Sequence, residues 1–172
     1  MEIKNFEFKA KVENLESYEK KLLTLNPEYK GEDHQIDTYF NANTGRLKLR
    51  EGNIENALIN YSREDLSSAK LSNIILYQHS PNMALKNILS VQLGVKVVVD
   101  KKRKIYFINN VKFHFDKIEN LGTFIEVEAI DTNNSYSIEE LQAQCNKYLQ
   151  FFELSEANIV AKSYSDLILE LN

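Results

Sequence analysis

Leu121-Gly122-Thr123-Phe124-Ile125-Glu126-Val127-Glu128-Ala129 has the apolar content of a buried strand, yet it carries two acids two residues apart. Strand side chains alternate between the two faces of a sheet, so Glu126 and Glu128 share one face and Ile125, Val127 and Ala129 the other. The same alternation opens the chain in Phe6-Glu7-Phe8-Lys9-Ala10-Lys11-Val12 and returns in Gly45-Arg46-Leu47-Lys48-Leu49-Arg50. One such strand is an ordinary solvent-facing sheet. Several of them ask more, because Phe6, Phe8, Leu47, Leu49, Phe113, Phe115, Ile125 and Val127 all need a core. A sheet closed into a barrel answers this. Helices cover its outer wall and the charges line its lumen.

The chain has 172 residues, which suits a single domain over 1–172 with a full core. Hydrophobic residues make up 43% and charged residues 27%, ordinary usage for a globular protein. No apolar run is long enough to span a membrane. Met1-Glu2-Ile3-Lys4-Asn5 lacks the apolar segment of a secretory signal, so the reading places the chain in the cytoplasm. The lone Cys145 has no internal disulfide partner and reads as a small buried residue on a helix face. The net charge of −4 argues against a long nucleic-acid duplex as partner. Tyr and Phe residues alternate with the charges and face away from them, which leaves no stacking platform for a single strand. Basic residues gathered in strands fit a compact anionic ligand instead.

The periodicity predicts strands over 1–12, 35–40, 46–50, 57–64, 72–77, 95–109, 111–118 and 123–130. A helix follows the first strand, capped by Asn14 with Leu15, Tyr18, Leu22 and Leu25 on one face, and stops at Asn26-Pro27. Pro81 is expected in the first turn of a second helix that Gly94 ends. Asn109-Asn110 reads as a tight hairpin turn, and Ser137-Ile138-Glu139-Glu140 as a capping box. The third helix turns Ile138, Leu141, Cys145, Tyr148 and Phe152 to one side, and the last carries Val160, Tyr164, Leu167 and Leu171. The connections are too short for parallel crossovers in most places. The fold class is α+β: about eight antiparallel strands in a barrel with helices packed outside.

Parity then sorts the charges. Glu7, Lys9 and Lys11 share a face, as do Arg46, Lys48 and Arg50, Tyr61 and Arg63, and Lys101 and Arg103. Lys112, His114 and Asp116 fall together, and so do Glu126 and Glu128. Carboxylates crowded in a lumen repel each other and are costly to desolvate. A divalent cation, Mg2+ or Mn2+, removes both problems. Lysine and arginine supply donors for phosphate oxygens. His114, between Phe113 and Phe115, reads first as a hydrogen-bond donor inside the barrel, while His34 and His79 read as loop residues without partners. No Gly-x-Ser-x-Gly nucleophile and no phosphate-cradling glycine loop occurs, so covalent catalysis is not expected and no residue is named as catalytic.

The segment Asn5-Phe6-Glu7-Phe8-Lys9-Ala10-Lys11 resembles the Glu-x-Glu-x-Lys signature of the CYTH superfamily, the triphosphate tunnel metalloenzymes, with Asn5 in place of the first Glu. The likeness runs on, in order, through 35–40, 45–50, 58–63, 99–103, 112–116, 121–128 and 163–167, and is most like the class IV adenylate cyclase branch. The resemblance implies an eight-stranded antiparallel β-barrel, a tunnel that binds a triphosphate. It implies Glu7, Glu126 and Glu128 as metal ligands, with Asp116 a further candidate. It implies Lys9, Lys11, Arg46, Lys48, Arg50, Arg63, Lys101 and Arg103 as triphosphate contacts, followed by Lys70, Lys112 and His114. The implied partner is a small-molecule triphosphate such as ATP, with neither nucleic acid nor membrane, and an outer face that can carry a homodimer. The implied activity converts ATP to cyclic AMP and pyrophosphate. The alternatives are a triphosphatase for thiamine triphosphate or inorganic triphosphate, and a non-catalytic nucleotide- or polyphosphate-binding protein.

Overall fold

The computed structural model describes residues 2–63 and 70–171. Its elements follow in the order β1 (Glu2–Lys11), α1 (Leu15–Leu23), β2 (Glu28–Phe40), β3 (Arg46–Glu51), β4 (Ala57–Arg63), β5 (Lys70–Gln78), α2 (Met83–Leu93), β6 (Val95–Ile108), β7 (Val111–Ile118), β8 (Gly122–Asp131), α3 (Ile138–Phe151), a 3-10 turn (Glu156–Asn158) and α4 (Tyr164–Leu171). The strands pair antiparallel around a closed barrel in the order β1-β5-β4-β3-β2-β6-β7-β8. Pairing of β1 with β8 completes the ring, with Glu7 opposite Glu128 and Lys9 opposite Glu126.

The apolar outer faces of β1, β7 and β8 are the ones α3 covers. α3 turns Leu141, Cys145 and Tyr148 inward against Phe6, Phe8, Phe113, Phe115, Ile125 and Val127 on β1, β7 and β8. Phe113 meets Tyr148 edge-on at 4.7 Å between ring centres. Cys145 lies in this layer, its Sγ donating to the carbonyl of Phe6 at 3.0 Å, and burial pushes its thiol up to about 12. It is a packing residue, not a nucleophile. The capping box forms as the sequence suggests: the Ser137 hydroxyl accepts from the Glu140 N–H and the Glu140 carboxylate from the Ser137 N–H. Ile138 and Leu171 stay exposed, and Val160 precedes α4.

Three local expectations need correction. β2 begins at Glu28, not Gln35, and its extra length pairs with the second half of β6 through a register shift between Tyr29 and Gly31. Gly31 takes a φ of 129° there, which a side chain would not adopt. Pro81 lies outside α2, whose cap is Asn82, its side chain accepting from the Ala84 N–H at 2.8 Å. His34 belongs to β2 and pairs with Asp100 at 2.7 Å. Asn109 does adopt positive φ, 52°, in the β6–β7 hairpin. No helix among the described residues is long and apolar enough to cross a membrane.

Candidate active site

The barrel encloses a cavity of about 490 Å³. Antiparallel register brings acidic and basic side chains face to face around the barrel: Asp37 opposite Arg50, Arg103 opposite Asp116, Lys112 opposite Glu128, and His114 opposite Glu126.

At the centre of the cationic group lies Asp37, 1% exposed. Its Oδ1 accepts from Arg50 Nε at 2.9 Å, and its Oδ2 from Arg50 Nη2 at 2.9 Å, Lys101 Nζ at 2.6 Å and Lys48 Nζ at 3.1 Å. Burial alone would raise its pKa, but Arg50, Lys101 and Lys48 outweigh that and hold the carboxyl well below the usual range. Lys101 responds in the opposite sense. Burial pushes its ammonium down to about 7, with Arg50, Arg103 and Lys48 adding to the effect against the pull of Asp37.

Arg103 holds Asp116 by two bonds, Nε to Oδ1 at 2.7 Å and Nη2 to Oδ2 at 2.6 Å, and the Tyr164 hydroxyl donates to Oδ2 at 2.7 Å. Asp116 was expected to be available to a metal. Here both of its oxygens serve Arg103 and Tyr164, which makes it the counter-ion of the arginine. Tyr164 reaches this point from the start of α4 and also carries Lys9 over its ring, 4.2 Å from the centre.

The acids of β8 form the other group. Glu126 lies 3.3 Å from Lys9, 3.3 Å from Arg103 and 3.2 Å from His114 Nδ1, and Glu128 lies 3.7 Å from the same nitrogen. One ligand atom from each of His114, Glu126 and Glu128 falls within 4.8 Å of the others. Burial pushes the Glu128 carboxyl up to about 8, with Glu126 and Glu7 repelling its charge further. Burial, Arg103 and Lys112 push His114 down to about 3, so it is a neutral imidazole at neutral pH. Carboxylates that repel one another beside a neutral imidazole suit a divalent cation. Glu7 stands next to Glu128 across β1 and β8 and also lines the cavity.

Lys9, Lys48, Arg50, Lys101, Arg103 and Lys112 all line this cavity. Three expected contacts stand apart: His114 is buried beside Glu126 and Glu128 and is not among the cavity-lining residues. Lys11 is exposed near the Phe124 ring and does not line it, and Arg46 pairs with Asp166 at 2.8 Å beside a separate, smaller cleft. The Arg63 and Lys70 side chains lie outside the described residues. His79, read as a loop residue, lines the main cavity.

Sequence reasoning missed Asp37, Glu55 and Tyr164. Asp37 shares its face of β2 with Tyr39, and that alternation was the available signal. Glu55 gave none, because it comes from the turn 52–56 between β3 and β4. Asp33 clamps this turn by accepting from the Ile54 and Glu55 N–H groups at 2.9 and 3.0 Å. A Cβ on Gly52 would stand 2.6 Å from Asp33 Oδ1, so only glycine fits this turn unchanged. The clamp directs the Glu55 carboxylate to Arg50 Nη1 at 3.0 Å and to Lys112 Nζ. Against the effect of burial, Lys112 and Arg50 hold that carboxyl well below its usual range.

The CYTH domain family model matches residues 4–164. The PH1012 protein from Pyrococcus horikoshii superposes with a TM-score of 0.79 at 25% identity, over 95% of this chain and 98% of its own. A Vibrio parahaemolyticus protein provisionally assigned as an adenylate cyclase gives 0.77 at 18% identity, over 96% and 97% of the two chains. A Hippeastrum protein, HpAC1, for which a dominant triphosphatase activity is described, gives 0.61 at 13% identity, over 98% and 94%. No curated protein matches the sequence.

Proposed function

Because the chain belongs to the CYTH domain family, we propose that it is a metal-dependent enzyme acting on an organic triphosphate held inside the barrel, in the manner of class IV adenylate cyclases. The observation that carries this reading is one cavity lined by six cationic side chains, Lys9, Lys48, Arg50, Lys101, Arg103 and Lys112, and by the acids Glu7, Glu126 and Glu128, with His114 buried beside the last two. The cations supply fixed donors for phosphate oxygens, and Arg50 and Arg103 are held rigid by bidentate pairing before any ligand arrives. His114, Glu126 and Glu128, with Glu7, would hold Mg2+ or Mn2+. A bound divalent ion supplies charge neutralisation at the phosphate oxygens.

In the cyclase reaction, the ribose 3′ hydroxyl of ATP attacks the α-phosphorus, the bond from that phosphorus to the bridging oxygen breaks, and pyrophosphate leaves. A second reading is hydrolysis of the triphosphate, in which water attacks the terminal phosphorus and inorganic phosphate leaves, with the same fixed cations serving the developing charge. Incubation with ATP, thiamine triphosphate and inorganic triphosphate, each with Mg2+ or Mn2+, followed by chromatography, tests both. Cyclic AMP with pyrophosphate is the expected result. Release of inorganic phosphate selects the second reading, and no product from any of the three overturns both in favour of a non-catalytic binding protein.

A further inference from the structure

One end of the barrel is the mouth of the cavity. β1 begins there and β5 and β8 end there, and Ile3, Gln78 and Ile130 line it. Toward the opposite end, Val97, Val99, Ile118 and Phe124 pack with Tyr164 and Leu167 of α4. The turn 52–56 between β3 and β4 stands at the mouth, and its Ile54, Glu55 and Asn56 line the cavity.

The Glu55 side chain crosses this mouth. Its Oε2 accepts from Arg50 Nη1 of β3 at 3.0 Å and from Gln35 Nε2 of β2 at 3.1 Å, and its Oε1 accepts from Lys112 Nζ of β7. β3 and β7 stand three places apart in the ring of strands, so one carboxylate ties two separate walls together.

The backbone that carries Glu55 is held from several sides. Asp33 accepts from the Ile54 and Glu55 N–H groups. Asn53 Oδ1 accepts from the His34 N–H at 2.6 Å, and its Nδ2 donates to the Glu32 carbonyl at 3.1 Å. The Asn56 amide bonds the Gly52 N–H and carbonyl at 3.0 and 2.9 Å. The Glu55 side chain is held less closely. Asp37 and Asp116, which also pair with cavity cations, have side chains 1% and 0% exposed, against 27% for Glu55. Rotation about its own χ angles can carry its charge into water without breaking the turn.

Carboxylate and phosphate oxygens take the same donors. A carboxylate that spans the mouth also stands in the path of an entering anion. We propose that the Glu55 side chain is the gate of the cavity: it bridges the mouth in the ligand-free protein, swings into solvent when a polyphosphate takes Arg50 and Lys112, and returns when the ligand leaves, while the turn 52–56 stays in place. The proposal rests on the triphosphate reading above and adds an opening step before binding. Such a step lowers the association rate in proportion to the fraction of molecules with the gate open, and leaves the dissociation rate unchanged.

Stopped-flow mixing of the intact chain and Mn2+ with a fluorescent methylanthraniloyl-ATP tests it, beside calorimetry with unlabelled inorganic triphosphate. Glu55→Gln should raise the association rate several-fold, leave the dissociation rate unchanged and tighten inorganic triphosphate by a similar factor. Glu55→Asp separates gating from plain repulsion. It keeps the charge but is one methylene shorter and cannot span Arg50 and Lys112, so it should also bind faster than wild type. Hydrogen exchange of the Ile54 and Glu55 amides should be equally slow with and without inorganic triphosphate. An unchanged thermal midpoint checks the fold of both variants. Glu55→Asp binding at the wild-type rate assigns the effect to charge alone and overturns the gate. So does a gain confined to the dissociation rate, or faster exchange of the two amides on binding. Each of these outcomes leaves the triphosphate reading standing. Failure of both ligands to bind wild type and variants alike overturns that reading, and the gate with it.

Discussion

Asp37 and Arg50 face each other in register across β2 and β3, joined by two hydrogen bonds of 2.9 Å each. Around this pair, Lys48 and Lys101 share the same carboxylate. The cations of the cavity are thus held in place by an acid that is itself inaccessible, so an arriving anion meets donors already fixed in direction.

Asp37→Asn should destabilise the fold by about 3–5 kcal/mol, because Arg50, Lys48 and Lys101 would lose their shared buried counter-charge. Urea denaturation measures the loss. Saturating triphosphate should recover part of it by restoring negative charge beside the same groups.

Glu128 and Glu126 should behave differently when made neutral. Folded, Glu128 releases its proton near pH 8, against about 4.5 when unfolded. Between those values the folded state keeps a proton that the unfolded state has lost, so raising the pH favours unfolding. Glu128→Gln should therefore match the wild-type metal-free stability below pH 4.5 and gain on it up to pH 8, by at most about 1.4 kcal/mol per pH unit. Thermal melts across pH 4–9 without metal check the sign. Metal-dependent turnover should be lost in the same variant.

Glu126→Gln should also abolish turnover, but without any gain in stability. Glu126 pairs with Lys9 and Arg103, which hold its carboxyl well below the usual range despite burial. Its neutral variant should unfold at lower denaturant than wild type above pH 5, as the two cations lose their partner.

Glu55→Gln should strengthen triphosphate binding several-fold. Its carboxylate occupies Arg50 and Lys112 in the way a phosphate oxygen would, so ligand must displace it or share them. Calorimetry on the variant and wild type, at equal ionic strength, measures the difference.

Period-two alternation made the barrel legible, because it names the face of each residue without knowing the neighbours of any strand. Pairing is a different matter. That Asp116 belongs to Arg103 depends on the β6–β7 register, and that Tyr164 donates to it depends on α4 returning to the barrel from a distance of 48 residues. The first half of β2 was missed because Glu28-Tyr29-Lys30-Gly31-Glu32-Asp33-His34 has no apolar alternation; its order comes from β6 and from Tyr29 stacked on Tyr106 at 4.7 Å. Glu55 lies in a turn, where periodicity carries no signal, and only the Asp33 clamp directs it inward.

The barrel closes where its first strand meets its last, Glu2–Lys11 against Gly122–Asp131. During synthesis, β1 must wait until the elements between Lys11 and Gly122 have been made before its β8 partner leaves the ribosome. Contacts of such sequence separation form slowly, because the loop-closure entropy is lost before the strand pairs that repay it exist. Until then Phe6 and Phe8 have only part of their apolar neighbours, so the nascent chain is at its most aggregation-prone just before its final strand arrives. Once shut, the ring leaves neither β1 nor β8 with an unpaired edge, which removes the template for strand-to-strand association between finished molecules.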